Sequence, residues 1–195
     1  MQVFDLLIGI IIEPAVVMKK ITARRPVGAA IIISLLIVLF QNLTLFVFKL
    51  VEPFFANYFV SEFQLLEILL TVILVFLGVL FITLSFQVVA KLFGAPWNYW
   101  GLFSGICFAQ FVFIFFPLVA LAGFLLDYSI FSLLNMLLGI WLNILSIVAI
   151  KESFSLSIGK AVATYFLTLL FLIILLFILV LMFSVVGMLF TIAFV

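Results

Sequence analysis

Histidine is absent from this chain, and cysteine occurs once, at Cys107, inside an apolar run. Zinc centres built from Cys and His are therefore excluded, as is a disulfide within the chain. Nucleophilic catalysis lacks its usual base, so Cys107 reads as a small packing residue. Charge is scarce too. Asp, Glu, Lys and Arg make up 8% of the residues, against about 25% in a typical soluble domain. A net charge of +1 gives no electrostatic footprint for nucleic acid. No Gly-rich phosphate loop and no dinucleotide fingerprint is present. No cofactor is expected.

What is present is apolar: 70% of the residues are hydrophobic. Charge is confined to short gaps that separate five long uncharged runs, Pro26–Phe48, Ile68–Ala90, Leu92–Leu126, Tyr128–Ile150 and Ala161–Val195. Each is long enough to cross a hydrocarbon core of roughly 30 Å as a helix of about 20 residues. The fold class is therefore all-α. We expect a polytopic membrane protein with five transmembrane helices, at about 27–48, 68–90, 101–126, 129–150 and 161–185. An N-terminal interfacial amphipathic helix lies ahead of them. Residues 1–26 would form a cytoplasmic basic segment and 27–195 the membrane domain.

The first apolar stretch, Val3–Ile12, is too short to span. Asp5 interrupts it and the basic cluster follows it, the wrong order for a signal peptide, so it is expected to stay on the chain. Pro14 suits the first turn of a new helix. That helix carries Val17 and Ile21 one turn apart beside Lys19, Lys20, Arg24 and Arg25. Such a one-sided basic segment suits a surface of anionic headgroups, and these four cations are candidate lipid contacts. The gap from Lys49 to Glu67 mixes acids with Phe54, Phe55, Tyr58 and Phe59, which suggests a loop lying along the membrane. Gly94, Ala95 and Pro96 make a turn, and Trp97, Tyr99 and Trp100 mark an interface. Pro117 should kink span three. Asp127 opens a short turn, and Lys151–Lys160 reads as a small polar loop. The last run is too long for one span and too short for two, so one span should end near Ser184–Gly187, its tail lodged at the far interface.

Basic residues set orientation. Lys19, Lys20, Arg24, Arg25, Lys91, Lys151 and Lys160 fall in gaps on the N-terminal side, and Lys49 alone falls opposite. The N-terminus is expected in the cytoplasm and the C-terminus outside, in the cell membrane.

Small and polar residues recur at helical spacing. Gly101, Ser104, Gly105 and Ala109 open span three, and Thr71, Gly78 and Ser85 mark span two. Asn135, Gly139 and Asn143 line one stripe of span four, with Ser146 close by. An amide in hydrocarbon needs a partner, so Asn135 and Asn143 should face other helices. With Gln110 they form a candidate in-membrane polar stripe, either packing glue or a polar cavity. Gln87 faces the same choice and should lie near the cytoplasmic surface. The acids all lie outside the spans, and Ser157 with Lys160 is ordinary loop chemistry.

The stretch Glu13-Pro14, Met18-Lys19-Lys20-Ile21 and Arg24-Arg25-Pro26 resembles the opening of prokaryotic Yip-family proteins. Trp141-Leu142-Asn143-Ile144-Leu145, Ile150-Lys151-Glu152 and Gly159-Lys160-Ala161 are similar to that family's fourth span, loop and fifth-span start. Pro117 falls where members often carry a proline. The resemblance implies a five-helix membrane domain with a cytoplasmic N-terminus. It points to Lys151, Glu152 and Lys160 as candidate cytoplasmic loop contacts. Eukaryotic relatives act in vesicle trafficking, GTPase binding and membrane shaping. They carry a longer cytosolic region than the residues ahead of span one here, so a small GTPase is not expected as partner. The expected role is a non-enzymatic membrane protein that organises lipids or a membrane-protein partner, including a second copy of itself. The alternative is a small permease or channel with a polar path between spans three and four.

Overall fold

The computed structural model describes residues 3–51 and 64–194, all in helices or the short links between them. Of the expected surface loop from Lys49 to Glu67, residues 52–63 lie outside the described residues, and the ends, 49–51 and 64–67, are helical. Two short helices open the chain, α1 (Val3–Ile12) and α2 (Pro14–Arg24). Pro14 starts α2, where its missing N–H removes no helical bond. The two helices fold tightly together: a Cβ on Gly9 would stand 2.5 Å from Val17 Cγ2. α2 ends at Arg25, which takes the left-handed conformation (φ 54°) and donates its N–H to Ile21 O at 2.8 Å. Pro26 then bars continuation.

Five candidate spans follow. They are α3 (Val27–Val51), α4 (Gln64–Lys91), a broken span from Tyr99 to Leu125, α7 (Tyr128–Phe154) and α8 (Ile158–Phe194). The chain is therefore a multi-pass membrane protein, its described residues helical apart from short links. The broken span consists of α5 (Tyr99–Ala109), a 3₁₀ segment (Gln110–Phe115) and α6 (Phe116–Leu125). Pro117 explains the break. It has no N–H for Phe113 O, and its ring would crowd that carbonyl. Phe113 O instead accepts the N–H of Phe116, three residues on, which tightens the turn.

α5 is the central helix: every residue from Gly101 to Ala109 is buried. It meets α2, α3, α4 and α7. Its small residues permit this, since a Cβ on Gly105 would lie 3.0 Å from Ala149 Cβ and 3.3 Å from Thr22 Cγ2. The core is concentrated at the end of the bundle that holds α2, with Ile10, Met18, Ile21, Leu102, Phe108, Leu145 and Ile150 fully enclosed. At the opposite end α6 and α7 form a tight hairpin, where a Cβ on Gly123 would meet Phe131 Cβ at 2.4 Å.

One expectation changes. Lys151–Lys160 is not a loop: Lys151 and Glu152 belong to α7, Lys160 to the first turn of α8, and the link is only Ser155–Ser157. Ser155 turns the chain in the left-handed conformation, and Lys151 O accepts the N–H groups of both Ser155 and Leu156. The last run is one helix that continues unbroken past Gly187. Its 37 residues measure about 55 Å, and Ile158–Ser184 within it is a candidate membrane span.

Candidate functional site

The apolar stripe of α2 faces protein. Val17, Met18, Ile21 and Thr22 are buried against α5 and α7. Taking a side chain such as Met18 or Ile21 out of water contributes about 1.5–3 kcal/mol. The bundle collects that gain, where the sequence suggested a lipid surface. Lys19, Lys20, Arg24 and Arg25 remain exposed on the outer side.

Asn98 fastens this end of the molecule. α4 closes through Gly94, whose φ of 77° suits the absent side chain, and a short link leads to Asn98 ahead of α5. The Asn98 backbone N–H donates to Gln87 Oε1 at 2.9 Å, and Gln87 Nε2 donates to Pro96 O at 3.2 Å. Asn98 Nδ2 donates to Ser153 O on α7 at 3.0 Å and, more weakly, to Thr22 O on α2 at 3.4 Å. Through its backbone N–H and its side-chain amide, Asn98 therefore ties the start of α5 to α4, α7 and α2. The amide's orientation is determined, because turning it over would aim Oδ1 at two carbonyl oxygens. The fit needs Gly101, whose Cβ would stand 2.4 Å from Thr22 O and 2.5 Å from both Asn98 side-chain termini. Tyr99 adds a bond from its hydroxyl to Leu80 O at 3.1 Å. Among the described residues, Asn98 Oδ1, Ser104 Oγ and Ser153 Oγ are buried with no hydrogen-bond partner.

The sequence did not single out Asn98. Its signal was slight: one amide between a Gly-Ala-Pro turn and the Tyr99-Trp100 pair. Gln87 is fully buried and bound to the link.

Other candidates surround the clasp. Lys151 Nζ donates to Glu152 Oε1 at 2.5 Å, with side chains 37% and 13% exposed. Lys160 is exposed. Lys91 Nζ lies over the Trp97 ring at 4.9 Å, an attraction of cation to ring quadrupole.

The amides of the in-membrane stripe do not converge. Gln110 Oε1 accepts from Ser34 Oγ on α3 at 2.6 Å. Asn143 Oδ1 accepts from the Tyr165 hydroxyl on α8 at 2.6 Å. Asn135 is half-buried and makes no hydrogen bond among the described residues. Beyond the spans, Asp127 caps α7 by accepting the Ser129 N–H at 2.6 Å. Hydrogen bonds from the Ser129 backbone and then its side chain hold the Asp127 carboxyl below the usual carboxylate range. Among the described residues, no group of three His, Cys, Asp or Glu gathers to hold a metal.

Comparison with protein-family models matches the Yip1 domain over residues 8–182. No curated protein and no solved structure matches the chain. The matched segment begins inside α1 and ends within α8, so it takes in the α2 clasp, the first four candidate spans and nearly all of the fifth, and the chain belongs to the Yip1 domain family.

Proposed function

We propose that this protein is a non-enzymatic organiser of the cell membrane, holding lipids and a protein partner at its α2 end. That end faces the cytoplasm and the C-terminus lies outside, as the excess of Lys and Arg at the α2 end favours. The observation that carries the reading is the clasp. Asn98, just ahead of α5, is bonded to α2, to Gln87 of α4 and to the end of α7. The resulting platform displays Lys19, Lys20, Arg24, Arg25 and Lys160 to its surroundings. A rigid display of charge suits recognition. A permease would need its polar groups free for a passing substrate, whereas Gln110 and Asn143 are engaged in bonds between helices.

Crosslinking in native membranes, followed by purification and mass spectrometry, tests the reading. A reproducible partner lost on substituting Lys151→Glu with Lys160→Glu is expected. Recovery of the protein alone, with active solute flux in liposomes, would replace the organiser by the permease. Tags at the two termini test orientation; a C-terminus reached from the cytoplasm refutes it.

A further inference from the structure

The α1–α2 hairpin has two uncovered surfaces of different chemistry. α1 buries Leu6 and Ile10 but leaves Phe4 66% and Ile12 71% exposed, with Ile8 between them on the same face. Phe4, Ile8 and Ile12 follow one another at four-residue spacing and form an apolar ridge. α1 is too short to span a bilayer, so this ridge suits the acyl region of one leaflet. α2 exposes Val16, with Lys19 and Lys20 one turn further on. Lys20 and Arg24 are four residues apart, and like charges at that spacing repel. Among the described residues none of Lys19, Lys20, Arg24 and Arg25 forms an ion pair. Since the apolar stripe of α2 is spent on α5 and α7, the helix cannot roll to hide its charges.

We infer that the hairpin is a binding surface for anionic phospholipids: the α1 ridge seats among acyl chains while Lys19, Lys20, Arg24 and Arg25 hold headgroup phosphates. The inference rests on the organiser reading and names the lipid class it gathers. Two observations carry it together, the apolar ridge of length unsuited to spanning and the fixed, unpaired cations beside it. Arg supplies paired donors to phosphate oxygens, and Lys supplies a mobile point charge.

The intrinsic tryptophans report the test, because Trp97 and Trp100 are exposed at this end. The full chain is reconstituted in phosphatidylcholine vesicles that contain either brominated phosphatidylglycerol or brominated phosphatidylcholine at equal mole fraction. Quenching measures which lipid lies at the protein. An enrichment of the anionic lipid of at least about fivefold is expected, the effect of one cation near the surface. Replacing Lys19, Lys20, Arg24 and Arg25 by Gln should abolish it, and Lys19→Arg with Lys20→Arg should retain it. Equal quenching by both lipids, or an excess that survives the Gln variant, overturns the proposal. Loss of the excess on adding inorganic phosphate would assign the site to a soluble anion and also overturn it. A partner still captured by crosslinking in such a case would leave the organiser reading standing.

Discussion

Gly101→Ala should loosen α2 from the bundle. The added Cβ would lie 2.4 Å from Thr22 O, and ordinary contact begins near 3.4 Å, so α2 must retreat by about 1 Å. The obstacle is backbone, which cannot rotate away as a side-chain tip would. Overpacking of this kind costs about 1–3 kcal/mol. The Asn98–Thr22 bond, already 3.4 Å long, would also be lost, at a cost of about 1 kcal/mol or less. Against this, replacing Gly by Ala within a helix contributes about 0.8–1 kcal/mol. The net effect is a destabilisation of about 1–3 kcal/mol, seen as a Tm lower by several degrees in detergent. Gly78→Ala and Gly139→Ala are the controls, since a Cβ at either meets nothing within 4 Å; their Tm should hold or rise. Limited trypsin digestion reads the local event, because cleavage needs the backbone around Lys19–Arg25 to open. It should be faster in Gly101→Ala than in either control. Equal Tm and equal cleavage across the three variants would refute the clasp.

Gln87→Leu strands the Asn98 N–H and Pro96 O and should cost about 1–3 kcal/mol, measured as a fall in Tm. Asn143→Leu leaves the Tyr165 hydroxyl without its acceptor; a double-mutant cycle with Tyr165→Phe should return a coupling of about 0.6 kcal/mol, as for other bonds between membrane helices, and zero coupling would refute the pair. Asp127 has a depressed folded pKa, so its capping contribution is present above the unfolded pKa near 3.9 and is lost as pH falls through the lower folded value. The loss in Tm on acidification should therefore be smaller in Asp127→Asn, which keeps a capping oxygen but does not titrate; an unchanged acid profile would count against the cap.

The spans were legible because insertion is decided by a property the sequence displays directly, the absence of charge over a sufficient length. Val27 is both the expected and the observed start of its helix. The helix ends were less legible. α7 runs on through Lys151 and Glu152, because a helix can carry charged residues beyond the hydrocarbon. Pro117 announced a break, but not that the 3₁₀ segment begins as far back as Gln110. The stripe of Val17 and Ile21 was visible from spacing. Its destination was not, because periodicity reports that a face is apolar and says nothing about whether lipid or protein covers it. Asn98 was hidden for a similar reason: its bonds reach residues 55 and 76 positions away, and no local pattern encodes such partners.

That destination changes how the cations of α2 work. A free amphipathic helix binds a membrane mainly through its buried apolar face, and its charges add to that. Here the apolar face is occupied by α5 and α7, so any lipid preference of α2 must come from charge alone, apart from the ridge on the neighbouring α1. Charge interactions at an exposed surface are screened over about 10 Å at 0.1 M salt and about 3 Å at 1 M, whereas the fit of Gly101 against Thr22 is a matter of shape and is unaffected by salt. Raising the salt should therefore remove the preference for anionic lipid while α2 stays docked and resistant to trypsin. If both were lost together, the docking of α2 would itself depend on its cations, and the division between a salt-independent clasp and a salt-sensitive surface would fail.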